Sequence, residues 1–203
     1  MKLVISCMDR RLNAYLKKNY GDAIVVRNAG ANLKSLQKTL EKYKYSATEV
    51  IILPHTDCGA MKVVYSSLKE GKKITSLVEE NLVSQFINSE FNSLMELERL
   101  NLKIQMENAR RIFGDKVKGE LIDINKIEIP PSKEPYSVYV TSPSLPLNID
   151  SNIYVISADK SDIWDSLDIA VYGMKINKIL VSDEKLLDKI RSSYPSVTVI
   201  RSS

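Results

Sequence analysis

Short apolar runs alternate with segments of helical period along this chain. Leu3-Val4-Ile5, Ala23-Ile24-Val25-Val26 and Val50-Ile51-Ile52-Leu53 are apolar without polar alternation. Strands of a parallel sheet, buried on both faces, read this way. Between the second and third runs, Asn32 is a candidate N-cap, and Leu33, Leu36, Leu40 and Tyr43 fall on one helical face. Ser76 and Glu79 have capping-box spacing and open a helical region reaching about Phe113, with a break expected near Leu100-Asn101. Lys118 to Ile124 is a fourth strand candidate, followed by a further short extended stretch.

Pro130-Pro131 stops helix and interior strand alike, so roughly 130–136 reads as a linker. A smaller alternation follows: a strand at Ile153-Tyr154-Val155-Ile156, a helix from Asp162 to Met174, a strand from Ile176 to Val181, a helix from Glu184 to Ser193, and a strand from Val197 to Ile200. The pattern predicts an α/β fold with a mostly parallel central sheet flanked by helices and an appended C-terminal α/β unit. The expected division is residues 1–130 and a small β-α-β-α-β extension, 136–203, of unknown role.

Composition narrows the function classes. The net charge of +4 is spread along the chain without a run of five basic residues, so no nucleic-acid footprint is expected. The Lys-rich stretch from Lys69 to Lys73 reads as a solvated loop. No apolar stretch approaches the roughly 18–20 residues of a membrane span. Met1 to Ile5 lead straight into a strand-like run without a signal peptide, which makes a cytoplasmic protein the expectation.

The inventory of metal-binding side chains is sparse: two cysteines and one histidine. All of them follow apolar runs, Cys7 the first, His55 and Cys58 the third. Ligands of open parallel sheets gather outside the carboxyl ends of strands. In a reducing compartment a Cys pair is more often metal-binding or catalytic than a disulfide. Two thiolates and one imidazole suit zinc and leave one tetrahedral position open, the arrangement of a catalytic zinc. Singly, each of these residues reads as a small buried hydrophobe or a satisfied histidine. Other chemistries lack their motifs. Asn13 stands where a cysteine-phosphatase loop needs arginine, there is no Walker or G-x-G-x-x-G sequence, and the sole histidine is already assigned.

The neighbouring residues decide between these readings. Cys7-Met8-Asp9-Arg10-Arg11 is C-x-D-x-R, and His55-Thr56-Asp57-Cys58-Gly59 is H-x-x-C-G. Arg27-Asn28-Ala29-Gly30 lies between them. These segments, in this order, resemble the signature of the β-class carbonic anhydrases over about residues 1–130, and Lys118 to Ile124 resembles that family's last core strand. The resemblance implies one Zn2+ per chain on Cys7, His55 and Cys58, with Asp9 and Arg11 as the dyad beside it. It implies reversible hydration of carbon dioxide to bicarbonate by a zinc-bound hydroxide, in a homo-oligomer built on dimers. An Arg two residues from the Asp can hold that carboxylate by a bidentate, charge-assisted bond and keep it off the metal. Alternatives within reach of the same residues are hydrolysis of carbonyl sulfide or carbon disulfide, and a non-catalytic, regulatory zinc-binding protein. The sequence departs from the family's pattern in three places: Cys7 stands close to Met1 without a preceding helix, residues 60–100 match poorly, and residues 136–203 have no counterpart.

Overall fold

Eight strands hydrogen-bond into one sheet among the described residues, 1–202 of the computed structural model. They are β1 (Lys2–Cys7), β2 (Ile24–Asn28), β3 (Glu49–Leu53), β4 (Val117–Gly119), β5 (Ser137–Thr141), β6 (Ile153–Ser157), β7 (Lys178–Val181) and β8 (Thr198–Arg201). The spatial order is β4-β3-β1-β2-β6-β5-β7-β8. Neighbours run parallel except at β2 and β6, which meet antiparallel with Arg27 opposite Ser157. The fold is therefore α/β with a mostly parallel sheet, and the C-terminal strands extend the same sheet.

Helices cover both faces. They are α1 (Asn13–Asn19), α2 (Gln37–Glu41), α3 (Gly59–Glu70), α4 (Ser76–Asn81), α5 (Leu94–Phe113), α6 (Trp164–Asp168), which continues as a π-helical turn over Ile169–Gly173, and α7 (Glu184–Ser193). Leu3, Val4 and Ile5 are wholly buried, as the unalternating run predicts for a central strand. Each such side chain contributes about 1.5–3 kcal/mol by leaving water. Among the described residues, no helix is long and apolar enough to cross a membrane.

Several elements differ from the sequence expectation, each for a physical reason. The break expected near Leu100-Asn101 is absent: α5 is continuous, and the interruption lies before it, at 87–93. Asn101 and Gln105 spoil the hydrophobic period yet lie on the buried face. There the Asn101 amide donates to the Gly30 carbonyl and Gln105 Oε1 accepts the Leu33 N–H, both at 2.9 Å. The cap of α4 is Thr75 rather than Ser76, because Thr75 Oγ1 accepts the Val78 N–H. Asn32 caps a 3-10 turn, Leu33–Ser35, and α2 starts only at Gln37, so the helix expected after Asn32 is split. The strand expected over Lys118 to Ile124 is short: β4 ends at Gly119, and beyond it only Ile122 bridges, to His55. β5 falls in a stretch assigned to no element. Its alternating Ser-Val-Tyr-Val-Thr pattern, directly after the prolines, carries too weak a signal alone, yet it lies between β6 and β7.

Candidate metal centre

The sheet places the two signature segments side by side. β1 and β3 are parallel neighbours, with Ser6 alongside Leu53, so the loops that leave their carboxyl ends start together. Cys7 closes β1; His55 lies two residues beyond β3; Cys58 is the N-cap residue of α3. One ligand atom from each of Cys7, His55 and Cys58 lies within 4.8 Å of the other two, and all three residues are buried. This cluster could hold a metal ion.

The state of the imidazole supports that fit. His55 Nδ1 lies 2.7 Å from the Thr56 carbonyl oxygen. A carbonyl only accepts, so Nδ1 carries the hydrogen and Nε2 presents its lone pair. That Nε2 is buried and has no hydrogen-bond partner. An orphaned buried nitrogen costs about 1–3 kcal/mol unless something occupies its lone pair, and a soft divalent cation does so. The sulfurs behave consistently. Cys7 is held well below the ordinary thiol range by a hydrogen bond from Cys58, which outweighs its burial, while Cys58 is pushed up as the donor. Burial would depress His55, but the Cys7 sulfur and the Asp9 carboxylate outweigh it and raise its proton affinity. The cluster thus attracts positive charge, and its sulfur and imidazole donors suit a metal ion of softer character than the hard oxygen-seeking ions.

Asp9 and Arg11 meet as the sequence predicts. Arg11 Nε donates to Asp9 Oδ1 at 3.0 Å, and Nη2 to Oδ2 at 2.8 Å. The backbone N–H of Arg11 also reaches Oδ1 at 2.9 Å, since Asp9 caps the 3-10 turn Arg10–Leu12. Burial alone would raise the Asp9 carboxyl, but the Arg11 hydrogen bonds and the charges of His55 and Arg11 hold it below the usual carboxylate range. Asp9 Oδ2 lies 3.6 Å from His55 Nε2, so the carboxylate faces the ligand cluster while Arg11 restrains it. Arg11 also grips the other loop, donating to Asp57 Oδ2 at 2.9 Å and to the Asp57 carbonyl at 2.8 Å. Asp57 adopts φ = +53°, a left-handed conformation that Asp tolerates better than most residues.

The support around the site comes from residues that motif reading assigned no role. Arg27 is buried behind the Cys7 loop, where it donates to the carbonyls of Cys7 (3.0 Å) and Asp9 (2.7 Å) and to Asn13 Oδ1 (2.7 Å). Burial lowers its guanidinium to about 10. Gly30 sits at φ = +77° with its N–H aimed at Cys7 Sγ, 3.4 Å away, and an added Cβ would come within 3.2 Å of the Ala60 Cβ. The glycine of the Arg27-Asn28-Ala29-Gly30 segment is therefore required by conformation and by space. Glu98 of α5 accepts the Asp57 N–H at 3.1 Å; its other oxygen is buried and unpartnered. Burial pushes its carboxyl up to about 7. A glutamate in a charged helix reads as surface, so only its place on the α5 stripe beside Leu97 and Asn101 marks it.

A cavity of about 140 Å3 opens on the cluster, walled by Cys7, Asp9, Arg11, Ala60, Tyr154 and Met174 among others. Tyr154 and Met174 come from the C-terminal third, to which the sequence assigned no role.

A family profile described as carbonic anhydrase matches residues 2–125, more than half of the chain. YtiB of Bacillus subtilis (strain 168), provisionally named a carbonic anhydrase, is 30% identical over 89 residues, covering 39% of this chain. The match spans about half (48%) of that relative's length. Among solved structures, a tetrameric β-carbonic anhydrase of Sordaria macrospora is 16% identical, with a TM-score of 0.44 over 61% of this chain and 76% of that one. CafA, the β-carbonic anhydrase of Aspergillus fumigatus, is 20% identical, with a TM-score of 0.41 over 66% and 76%. A carbonic anhydrase from Glaciozyma antarctica is 22% identical, with a TM-score of 0.38 over 62% and 77%. The profile match encloses Cys7, Asp9, Arg11, the Arg27 to Gly30 turn, His55 and Cys58, and the chain belongs to the β-class carbonic anhydrase family.

Proposed function

We propose that this chain catalyses the reversible hydration of carbon dioxide with one zinc ion held by Cys7, His55 and Cys58. The observation that carries the reading is the buried, unpartnered Nε2 of His55, grouped with two sulfurs beside a carboxylate that Arg11 keeps apart. A zinc ion held there supplies the Lewis acidity that makes water a nucleophile near neutral pH.

The chain's own residues do the rest. Asp9, kept ionised, is an acceptor only. Facing the cluster, it orients an O–H donor and turns away an oxygen that carries no hydrogen. Arg11 fixes that carboxylate at two points, so it does not swing toward the ligand atoms. Ala29, Ala60 and Met174 give the cavity apolar wall, suited to a small uncharged molecule. Its volume of about 140 Å3 leaves room for a small molecule beside the cluster. The intact Asp9–Arg11 pair favours catalysis over a purely structural metal site, which has no use for a second pair of charges.

The test is zinc content by mass spectrometry together with stopped-flow hydration of carbon dioxide, run beside carbonyl sulfide and carbon disulfide. Cys58→Ser and Cys7→Ser are expected to lose zinc and activity together, and Asp9→Ala to keep zinc and lose activity. Unchanged zinc content in Cys7→Ser would overturn the ligand assignment. Turnover confined to the sulfur compounds would overturn the substrate.

A further inference from the structure

We propose that β5–β8 and their helices form a second, ligand-free copy of the β1–β4 unit, fused where a partner chain could sit, which completes the metal-site cavity in cis through Tyr154 and Met174. The copy stands on topology; the role of its two side chains rests on reading the cavity as the reaction site.

The strand order carries the first part. Counted outward from the antiparallel seam, one side reads β2, β1, β3, β4 and the other β6, β5, β7, β8. On both sides that is second, first, third, fourth, with every pair parallel. Topology alone is common currency in α/β folds, but the seam adds register. Arg27 pairs with Ser157; Ser6 lies alongside Arg27, and Thr141 alongside Ser157. Two residues before that central pair, Val25 N–H donates to the Ser144 carbonyl at 2.8 Å and Val155 N–H donates to the Met8 carbonyl at 3.0 Å. Each second strand thus reaches the loop that follows the other unit's first strand. Reciprocal contacts of this kind are the mark of a two-fold, isologous interface, here within one chain.

The same register shows what the second unit lacks. With Thr141 matched to Ser6, Ser142 stands for Cys7; the reciprocal bonds then make Ser144 the counterpart of Met8, one residue further on, so Leu145 falls opposite Asp9 and Leu147 opposite Arg11. Ser182, whose hydroxyl meets Thr141 at 3.1 Å, matches Leu53. Glu184 and Leu187 then stand where His55 and Cys58 do. Neither thiolate nor imidazole survives, and the Asp–Arg pair is gone.

What the copy retains is its hold on the working site. Asn13 donates to the carbonyls of Asp150 and Ile153, both at 2.8 Å. Arg10, the neighbour of both dyad residues, stacks 3.9 Å over the Tyr136 ring and donates to Ser132 and to the Ser151 carbonyl. Ser166 accepts the Ala29 N–H at 2.9 Å, within the turn that approaches Cys7. Tyr154 on β6 and Met174 after the π-helical turn then form cavity wall. Since β6 already occupies the free edge of β2, further assembly of copies uses other surfaces.

A complementation assay tests this in full-length chains. Tyr154→Ala and Met174→Ala are expected to keep stoichiometric zinc and lower kcat/KM about tenfold, as for a loss of about 1.4 kcal/mol at the transition state. Tyr154→Phe should restore most of that loss. Tyr154→Ala mixed with Asp9→Ala, after unfolding and refolding together, should give only the sum of the separate activities. A wall supplied by a second chain would instead restore roughly a quarter of wild-type sites in a two-fold dimer, and that result overturns the proposal. So does kcat/KM within twofold of wild type in both wall variants. A second readout needs no turnover. In zinc-stripped chains, Cys7 and Cys58 should react with a bulky thiol reagent several times faster in Tyr154→Ala and Met174→Ala than in wild type or Tyr154→Phe. A wild-type chain inactive toward carbon dioxide that still shows these labelling differences would defeat the functional reading and leave the built-in wall standing; equal labelling in all four chains would defeat the wall.

Discussion

Replacing Arg11 by alanine is the sharpest single perturbation of this site, because one guanidinium ties the two ligand-bearing loops together. The change removes two bonds to Asp9, at 3.0 and 2.8 Å, and two to Asp57, at 2.9 and 2.8 Å. The Asp9 side chain is only 9% exposed, so it would remain as a carboxylate without its cation. Breaking a buried pair costs about 3–5 kcal/mol, and the lower end applies because Arg11 is 22% exposed and water can enter its place. Asp57 is half exposed and keeps Lys62 at 2.6 Å, so its share is about 0.2–1 kcal/mol. The total is about 3–4 kcal/mol, a large part of the usual 5–15 kcal/mol. Urea unfolding of zinc-stripped chains should show this as a lower midpoint with an unchanged slope. In the zinc form a second effect appears. Asp9, 3.6 Å from His55 Nε2, is free to turn toward the cluster. Zinc should then be held at least as tightly while hydration falls about a hundredfold, the usual effect of losing an oriented group. The double variant Asp9→Ala/Arg11→Ala should be more stable than Arg11→Ala alone. A cost below about 1 kcal/mol for Arg11→Ala, or strict additivity in the double variant, would refute the reasoning.

Three further outcomes follow from the buried acids and the lone histidine. Glu98 titrates at about 7 in the folded chain against 4.5 when free, because burial favours its neutral form. Its contribution to stability is therefore complete below pH 4.5 and lost as pH rises through 7; Glu98→Gln should flatten the stability profile and gain up to about 3 kcal/mol at pH 8, checked by urea midpoints across that window. Asp165 is raised to about 6 from 3.8, mainly by burial, so its ionisation costs stability above pH 6. Asp165→Asn keeps an acceptor for the Ser166 N–H and places its amide N–H toward the Ser35 hydroxyl oxygen, and it should melt higher than wild type at pH 7 but not at pH 3.5, as calorimetry would show. With the sole histidine in the ligand cluster, no imidazole remains to carry protons out. Turnover should rise with buffer concentration; rates flat in buffer would point to an internal relay.

Legibility in the sequence follows the range of the signal. Leu3 to Ile5, Val25 to Val26 and Val50 to Leu53 announce strands because burial on both faces leaves unbroken apolar runs. Cys7, His55 and Cys58 were visible because strand-end position and adjacent motif agree. The apolar period breaks at Asn101 inside α5 because the buried face of that helix carries amides that bind the Gly30 and Leu33 backbone, and apolar period cannot register a satisfied polar contact. β5 leaves little local signal, because it is five alternating residues shortly after two prolines. Tyr154 and Met174 have no motif at all. Their place in the cavity is set by the antiparallel meeting of β2 and β6, a pairing between segments far apart in the chain, which local pattern does not encode.

That pairing also sets an order of events during synthesis. Cys7, His55 and Cys58 are all present once Cys58 has emerged, while the open edge of β2, rich in Val and Ile, waits for Ile153–Ser157, which arrive nearly a hundred residues later. At the usual 5–20 residues per second the wait is on the order of 10 s. Throughout it an unpaired, β-prone edge is available to other nascent chains. Completion of the Cys7, His55 and Cys58 set and closure of the wall are thereby separated in time. A ribosome that stalls between Cys58 and Ile153 would hold a chain that already carries Cys7, His55 and Cys58, with an edge open to aggregation.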